Sequence, residues 1–559
     1  MNSELMPLNA VEIGFIGLYL LSLLLVGYFG FRAKKANTLQ DFFLGGQRTG
    51  LWVLLLTLYA TQYSGNTLFG FTGKTYRVGY AWTVSIQFMM SIVVVYLLFA
   101  PRLYALSRKN NFVTPADYLE YRYRTPLLGL LSSIVMVFAI GNFLLAQMMA
   151  MGKAVEGLFP NGEYAFVTGV IFLAGIIIVY ETLGGFRAVA WTDAIQGSIL
   201  LVGFIALLVM MFQQFGTLGE ATRTVAERTP EAVQPPSGNG IREWMSYCLM
   251  VGIGGAMYPQ SVQRIYSAKN ARTLRLSLGI MVFLPLTTTV VSLAAGMIGR
   301  AYIPDLGEQS DSLLTVLCRE IQQHSILGRW IVVIVFAAIL AAIMSTADSI
   351  LLSISSMLTK DVFATWISPG MPEDELMKVG KRLSWALIGL AALGAILLRN
   401  TTLVTLLDRK LDLLVQLSPA FILGIWWSRL RGKAVLAGLI VGILISLLMV
   451  GLGYKKFLGV HPGLFGLAGN LLIAVFGSLW FPKRECHWTT LPTIQTKGMS
   501  SSLPRLSRQV HTGCPCYFPN HPSQFEVAEG VSRKGHTAAC CDHEEMPRVD
   551  RARNHRPQA

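Results

Sequence analysis

Two aspartates, Asp193 and Asp348, lie inside apolar stretches of this 559-residue chain. An ionisable side chain within a membrane segment costs free energy, so each aspartate is a candidate functional group. Asp193 directly follows Trp191-Thr192, whereas Asp348 has hydroxyl-bearing neighbours on both sides. These residue types predict a site that binds a cation or carries a proton.

The hydroxyls near Asp348 have helical spacing. On an α-helix, Ala342, Ser345 and Ser349 share one face, and Thr346 and Asp348 flank it. Hydroxyl and carboxylate oxygens are hard ligands, which suit a hard cation better than a soft transition metal. The alternative is a packing seam, because alanines in the same stretch have the spacing of a close helix contact.

The composition excludes a soluble globular protein. Hydrophobic residues make up 53% of the chain and charged residues 14%, whereas soluble domains contain roughly 25% charged residues. Lysines and arginines, the source of the net charge of +15, fall in short clusters between apolar runs. We interpret these clusters as topology signals and not as a nucleic-acid-binding face. The seven cysteines are too unevenly placed for a disulfide scaffold.

A transmembrane helix needs about 20 mainly apolar residues, and thirteen segments meet this condition. They are approximately 11–31, 50–73, 80–100, 127–150, 163–182, 191–213, 243–260, 276–299, 329–357, 381–398, 402–427, 434–453 and 461–481. The sequence therefore predicts an all-α polytopic membrane protein with about 13 transmembrane helices. The more basic loops, which hold Arg187, Arg264 and Lys360, are predicted to be cytoplasmic. This orientation puts the amino terminus outside and the carboxyl terminus inside.

Spans two to six (50–213) and seven to eleven (243–427) form two sets of five helices. An odd number of helices per set forces the sets into opposite orientation, as in transporters built from inverted repeats. The first helix of each set is interrupted, near Gly65 in one and by the glycines at 252–255 before Pro259 in the other. Carbonyls freed at such breaks can bind a solute. The alternative is that the glycines only permit close helix packing.

The predicted transporter domain covers residues 1–481. It adds an extra first helix at 11–31 and two additional helices at 434–481 to the repeats. The first helix has basic residues after it and none before it, the reverse of a secretory signal, so we expect it to span the membrane. The tail at 482–559 is polar without periodicity and is predicted to be cytoplasmic and disordered. Its cysteines and histidines fit no zinc-binding spacing.

Four stretches of the chain resemble the sodium/solute symporter family. They are 60–65 (ATQYSG), 184–193 (GGFRAVAWTD), 259–264 (PQSVQR) and 341–346 (AAIMST). The resemblance implies the leucine-transporter type of five-plus-five inverted repeat, preceded by one extra helix. Pro259 and its neighbours are closer to the amino-acid, monocarboxylate and pantothenate branches than to the sugar branch. Gln62 stands where the proline-transporting branch has an aspartate, which leaves proline transport open.

The resemblance also implies a sodium site between spans two and nine. Carried over to this chain, its ligands are the main-chain carbonyls of Ala60, Tyr63 and Ala342 and the hydroxyls of Ser345 and Thr346. This ligand set agrees with the hydroxyl face that the helical spacing predicts in span nine.

Some members of the family bind a second sodium ion through the span-six aspartate and further hydroxyls of span nine. The matching positions here are Asp193, Ser345, Asp348 and Ser349. Because Asp348 replaces a family hydroxyl, this place is either a second sodium site or a proton-carrying group.

Polar groups beside the two breaks are predicted to bind the solute. They are Ser64, Asn66, Thr67, Gln87, Tyr258 and Gln260. Asp408 and Asp412 join this set, because the sugar branch uses the matching helix for polar contacts with its solute. Their alternative is an ion pair with Arg409 or Lys410 at the outer membrane surface. Span four lacks the arginine with which sialic-acid transporters of the family bind a carboxylate, so sialic acid is not expected.

We expect a multi-pass transporter of the cytoplasmic membrane that couples sodium entry to symport of a small organic solute, such as an amino acid or a monocarboxylate. The mechanism is alternating access. Proton-coupled symport and solute sensing without net transport are the alternatives. The expected partners are sodium, the solute and the lipid bilayer, without nucleic acid or an obligate protein partner. The only histidine in a predicted span is His461, at the edge of the last one, and the carboxylates inside the spans lie among hydroxyls, so the chain is not expected to be an enzyme or to hold a further cofactor.

Overall fold

A computed structural model describes residues 9–33, 38–158, 162–303, 305–324, 326–400 and 403–480. The tail predicted at 482–559 lies outside the described residues. Within them the secondary structure is nearly all helical, and the β contacts are two isolated bridges, Thr49 with Ala268 and Phe457 with Val460.

The α-helices alternate with short 3₁₀ and π-helical segments. They are α1 (Ala10–Arg32), α2 (Leu39–Leu44), α3 (Leu51–Gln62), α4 (Phe71–Val78), α5 (Val84–Asn110), α6 (Pro115–Tyr123), α7 (Pro126–Leu158), α8 (Ala165–Phe215), α9 (Leu218–Arg228), α10 (Asn239–Gly255), α11 (Pro259–Ser267), α12 (Ala271–Met281), α13 (Pro285–Tyr302), α14 (Leu313–His324), α15 (Ile326–Met357), α16 (Glu373–Leu397), α17 (Leu403–Leu414), α18 (Gly424–Trp426), α19 (Gly432–Gly451) and α20 (Pro462–Trp480). The π-helical segments are Asn66–Gly70, Leu358–Ile367 and Pro419–Leu423.

Among the described residues, nine helical segments are long and apolar enough to cross a membrane, and shorter apolar helices cover Leu51–Gln62 and Ala165–Val179. Large apolar side chains such as Phe138, Leu390 and Leu448 are exposed on the surface, as expected for a face that contacts lipid. Each predicted apolar segment contains helical structure. The chain therefore has a nearly all-helical, polytopic membrane fold.

The predicted segments 163–182 and 191–213 form one element, α8, which is interrupted at Gly185. This glycine has φ 57° and ψ −164°, a backbone conformation that side-chain-bearing residues rarely adopt. A Cβ atom there would lie 2.8 Å from the carbonyl oxygen of Phe42. The change of direction between the two apolar segments therefore requires glycine at this position.

The first predicted interruption is present between α3 and α4. Tyr63 has an extended backbone with φ −101° and ψ 103°, and the π-helical segment begins three residues later. A Cβ atom on Gly65 would lie 2.7 Å from side-chain atoms of Ala150 in α7 and of Ile343 in α15. The backbone at this break therefore packs directly against two other helices.

The second predicted interruption separates α10 from α11. α10 ends at Gly255, and the backbone of Tyr258 is non-helical, with φ −58° and ψ 119°. Pro259 then occupies the first turn of α11, where its missing N–H leaves no helical hydrogen bond unmade. Both predicted breaks are present, but the glycines at 252–255 belong to α10, and the second break lies after them at 256–258.

α15 lies at the centre of the described structure. In its most apolar stretch 83% of the residues are buried, whereas the corresponding value for α1 is 22%. α15 packs against α3, α7, α8 and α11. Its hydroxyls and its carboxylate therefore face other protein groups and not lipid.

Candidate functional site

Hydroxyls of α15 converge on a carbonyl oxygen in the last turn of α3. Ser345 Oγ lies 3.1 Å and Thr346 Oγ1 lies 3.2 Å from the carbonyl oxygen of Ala60. Ser345 Oγ also lies 3.3 Å from the carbonyl oxygen of Ala342 in its own helix. All four residues are buried with no exposed surface. Four of the five predicted sodium ligands therefore lie side by side.

The fifth predicted ligand, Tyr63, directly follows α3, and its N–H donates to the carbonyl of Tyr59. The last four carbonyls of a helix have no partner within that helix, and the helix dipole makes this end partly negative. The break after α3 therefore concentrates carbonyl oxygens near the α15 hydroxyls. Each hydroxyl donates one hydrogen and keeps two lone pairs, so both can turn their lone pairs toward a cation. The group offers hard oxygen ligands and no fixed negative charge.

Asp193 forms a buried ion pair that sequence reasoning missed. Arg264 Nη2 lies 2.9 Å from Asp193 Oδ2. Thr57 accepts a hydrogen bond from Arg264 Nε at 2.8 Å and donates one to Asp193 Oδ2 at 2.5 Å. Arg264 also donates to the hydroxyl of Ser349, which lies 3.5 Å from Asp193 Oδ2. The guanidinium therefore supplies the positive charge that a buried carboxylate needs.

The expectation that Arg264 belongs to a cytoplasmic loop is wrong. The residue is 1% exposed and lies in α11, which packs against α3 and α15. The sequence pattern shows a basic residue after the second break, but it does not show that a buried aspartate lies opposite it.

Asp348 has a different neighbourhood. It is 2% exposed and lies within electrostatic range of the hydroxyl of Tyr19 in α1. The bonds that hold Asp193 come instead from Thr57, Arg264 and Ser349. Of the predicted second site, Asp193 and Ser349 therefore share one hydrogen-bonded network, and Asp348 flanks α15 toward α1.

The predicted solute residues of the first break are buried next to α7. The N–H of Ser64 lies 3.4 Å from Thr67 Oγ1, and the carbonyl of Thr67 accepts a hydrogen bond from Ser292 at 3.1 Å. The N–H of Gly65 donates to Gln147 Oε1 of α7 at 3.2 Å. The side chain of Asn66 is outside the described part of the structure.

The second break carries an aromatic pair and a buried lysine. The ring of Tyr258 stacks on that of Phe143 in α7, with 5.6 Å between centroids and 23° between planes. Lys410 Nζ of α17 lies 2.9 Å from the ring centroid of Phe143 and 5.2 Å from that of Tyr258. Gln260, the second residue of α11, is fully buried, and within the described ranges neither atom of its amide has a hydrogen-bond partner.

One face of α7 joins the two breaks. Phe143 and Gln147 are four residues apart, so they lie one above the other on that helix. Gln147 accepts a hydrogen bond from Gly65 at the first break, and Phe143 stacks on Tyr258 at the second. A polar residue within predicted span four is the signal that could have identified Gln147. Phe143 carries no such signal, since aromatic residues are common in membrane helices.

The remaining predicted solute residues have other neighbours. Gln87 is exposed on α5. Asp408 Oδ2 accepts a hydrogen bond from the hydroxyl of Tyr247 at 3.3 Å. Asp412 accepts from the N–H of Gly463 at 2.7 Å, at the start of α20, and its other oxygen lies 3.4 Å from Arg409 Nη1.

The interrupted helices, the buried oxygen cluster and the polar face between the breaks define a membrane transporter for an ion and a solute. The model of the sodium:solute symporter family matches residues 42–442, and the chain belongs to this family. The expected family is thereby confirmed, and with it sodium as the coupling ion.

Relatives match over most of their length. The osmoregulated proline transporter OpuE of Bacillus subtilis (strain 168) is 26% identical over 472 residues, which cover 83% of this chain and 94% of the relative. The sodium/pantothenate symporter of Escherichia coli (strain K12) is 28% identical over 471 residues, covering 82% and 94%. These relatives are transporters, which agrees with the expectation that the chain is not an enzyme.

A solved structure has the same fold. It is a Na⁺-coupled sialic acid symporter in a substrate-bound outward-open state, with a TM-score of 0.69 and 20% sequence identity. The match covers 85% of this chain and 98% of that one. The likeness confirms a multi-pass transporter fold.

Proposed function

We propose that this protein uses the sodium gradient to take up a small organic solute, an amino acid or a monocarboxylate, across the cell membrane. The observation that carries the proposal is the convergence of the Ser345 and Thr346 hydroxyls on the carbonyl of Ala60. It joins the interrupted helix α3 to the central helix α15 through oxygens alone. Sodium symport in the family and proline and pantothenate transport by its relatives support the same assignment.

In this proposal the sodium ligands are the carbonyls of Ala60, Tyr63 and Ala342 and the hydroxyls of Ser345 and Thr346. The bound ion offsets the partial negative charge at the end of α3 and holds α3 against α15. Such a contact favours the conformation in which both helices are close, so sodium shifts the population of states. Because the solute groups lie just beyond the same break, sodium and solute raise each other's affinity by the same factor.

We place the solute along the α7 face between the breaks. Ser64 and Thr67 lie at its first end, together with Asn66 of the same segment, and Tyr258 and Gln260 lie at its second end. A buried amide without a hydrogen-bond partner costs free energy, so such an amide is a candidate to bind the solute. Gln260 fits that description among the described residues.

We leave three predicted residues out of the proposed solute site. Asp412 bonds the start of α20 and pairs with Arg409, which favours the alternative of a structural ion pair. Asp408 accepts a hydrogen bond from the hydroxyl of Tyr247. Gln87 is exposed, whereas the groups of the proposed solute site are buried.

We infer one sodium site and not two. A second cation beside Asp193 would lie next to the guanidinium of Arg264, which already compensates the carboxylate. The two positive charges would repel each other in a medium that screens poorly. Asp348 stays the candidate for proton coupling, the alternative to sodium coupling, because it is a buried carboxylate on the central helix.

We propose the following arrangement in the membrane. Residues 11–31 form an extra helix, 50–213 and 243–427 form the inverted repeats, and 434–481 form two additional helices, about thirteen spans in all. The two matched interruptions support the repeat. The amino terminus is outside, and the tail at 482–559 is cytoplasmic.

The test is sodium-driven uptake by the purified full-length chain in liposomes. Amino acids, monocarboxylates and sugars are offered with an inward sodium gradient, with an inward proton gradient, and with neither. Accumulation that needs the sodium gradient and falls in Ser345→Ala supports the proposal. Accumulation driven by the proton gradient alone contradicts it and favours Asp348 as the coupling group, which Asp348→Asn then checks.

A further inference from the structure

Lys410 is a buried lysine within the helix α17. It is 1% exposed, and its ammonium nitrogen lies against the faces of two aromatic rings, Phe143 and Tyr258. Aromatic faces attract a cation through their quadrupole, but they do not neutralise its charge. A buried charge normally has a partner of opposite charge or strong hydrogen bonds.

Within the described ranges, no carboxylate forms an ion pair with Lys410. The two acidic residues of the same helix, Asp408 and Asp412, lie on the opposite side of α17, because two positions along a helix turn it by about 200°. The cations near Asp408 are Lys456, Lys74 and Arg409, and Arg409 also pairs with Asp412. The ammonium of Lys410 therefore points away from the acidic side of its own helix.

The side that Lys410 faces is the one between the two helix breaks. Phe143 is on the α7 face that also presents Gln147 to the first break, and Tyr258 belongs to the second break. α17 also packs against the π-helical segment that follows the first break. The lysine thus brings a positive charge to the place where the proposed function puts the solute.

The other groups at this place are neutral hydrogen-bonding groups. The Nε2 atom of Gln147 is buried and has no hydrogen-bond partner in the described part of the chain, and the same is true of the amide of Gln260. They can bind the polar parts of a solute, but they cannot balance a charge. Sodium and Lys410 are both cations, so an anionic group would be attracted by both.

We propose that Lys410 binds the carboxylate of the transported solute, so that this residue makes a free carboxylate a requirement for binding. The carboxylate supplies the counter-charge that the buried ammonium lacks. This inference rests on the proposed function for the location of the solute. It adds a charged residue of α17 to the groups that the two breaks supply.

The test compares carboxylates with uncharged analogues on the purified full-length protein. The probes are propionate and propionamide, lactate and lactamide, L-proline and L-prolinamide, and pantothenate and panthenol. Each is titrated in sodium and in potassium while the melting temperature is followed, since a ligand that binds the folded state raises it. The variants are Lys410→Met and Lys410→Gln, with Lys433→Met as a matched control because Lys433 is exposed. Both Lys410 variants remove an uncompensated buried charge, so they are expected to fold.

We expect at least one carboxylate to stabilise the wild type while its analogue does not. The concentration of this carboxylate at half-maximal stabilisation rises about 30-fold or more in both Lys410 variants. It stays within twofold of the wild-type value in Lys433→Met. The midpoint for sodium alone stays close to the wild-type value in all three variants.

Two results overturn the inference. One is a panel in which no carboxylate stabilises the wild type better than its analogue, and the other is a carboxylate that binds the Lys410 variants as tightly as the wild type. The proposed sodium coupling is judged separately. If a carboxylate binds equally well in sodium and potassium but needs Lys410, the role of Lys410 holds and the proposed sodium coupling fails.

Discussion

Replacing Thr346 by valine removes one sodium ligand and keeps the shape of the side chain. The proposed site has two hydroxyls and three carbonyls, so the change deletes one of five neutral oxygens. A hydrogen bond or contact to a charged group contributes about 1.5–3 kcal/mol, and 1.4 kcal/mol is a tenfold change in affinity. The sodium concentration at half-saturation should therefore rise about 10- to 150-fold.

The fold should tolerate this change. Ser345 still donates to the carbonyl of Ala60 at 3.1 Å, so Thr346→Val leaves no buried carbonyl without a donor. The lost neutral hydrogen bond costs about 0.5–1.5 kcal/mol of unfolding free energy. The effect on sodium affinity should thus exceed the effect on stability, which separates a ligand role from a structural one.

The assay is a sodium titration of the purified protein at constant ionic strength, with potassium as the replacement ion and the melting temperature as the signal. The matched control is Thr359→Val, because Thr359 is also fully buried and lies two residues beyond α15, away from Ala60. A Thr346→Val protein whose sodium midpoint stays within twofold of the wild type would refute the assignment of this hydroxyl.

Three further predictions concern stability. Asp193→Asn leaves the guanidinium of Arg264 buried without a counter-charge and should lower the free energy of unfolding by about 3–5 kcal/mol. Replacing both residues by apolar ones should recover most of the lost melting temperature. A double variant as unstable as Asp193→Asn would contradict the pairing. Gly65→Ala puts a methyl group 2.7 Å from two side chains and should cost about 1–3 kcal/mol, whereas Gly50→Ala, with nothing within 4 Å of the new atom, should change the melting temperature little. In the connecting helix α6, burial raises the pKa of Glu120 above its ordinary value of 4.5, and a nearby aspartate raises it further. The folded state then holds this proton more tightly than the unfolded state, so stability falls as pH rises through the raised pKa. Glu120→Gln should have a higher melting temperature than the wild type at pH 7, and this difference should vanish near pH 4. Equal melting temperatures at pH 7 would show that the buried charge of Glu120 does not lower the stability.

The sequence alone determined the class of the protein and the positions at which its helices are interrupted. Long apolar runs can be read without a fold, because a bilayer requires about 20 apolar residues per helix. Gly65 and Pro259 mark the two breaks, since these residue types weaken or end a helix wherever they occur. The hydroxyl face of Ser345 and Thr346 follows from helical spacing within one segment.

The family resemblance supplied what local spacing could not, namely that the carbonyl of Ala60 would meet those hydroxyls. This contact joins residues 285 positions apart along the chain. Periodicity shows which face of a helix is polar, but not which helix lies opposite.

Only the tertiary structure decided the pairing of charges. The sequence pattern places Arg264 in a loop, but the residue is buried and pairs with Asp193. Arg409 and Lys410 are adjacent in sequence but contact different groups. Arg409 turns to Asp412, whereas Lys410 turns to Phe143 and the space between the breaks. The physical reason is that a buried charge is stabilised by whatever group lies within a few ångströms, and that neighbour comes from another helix whose direction and depth the sequence pattern does not contain.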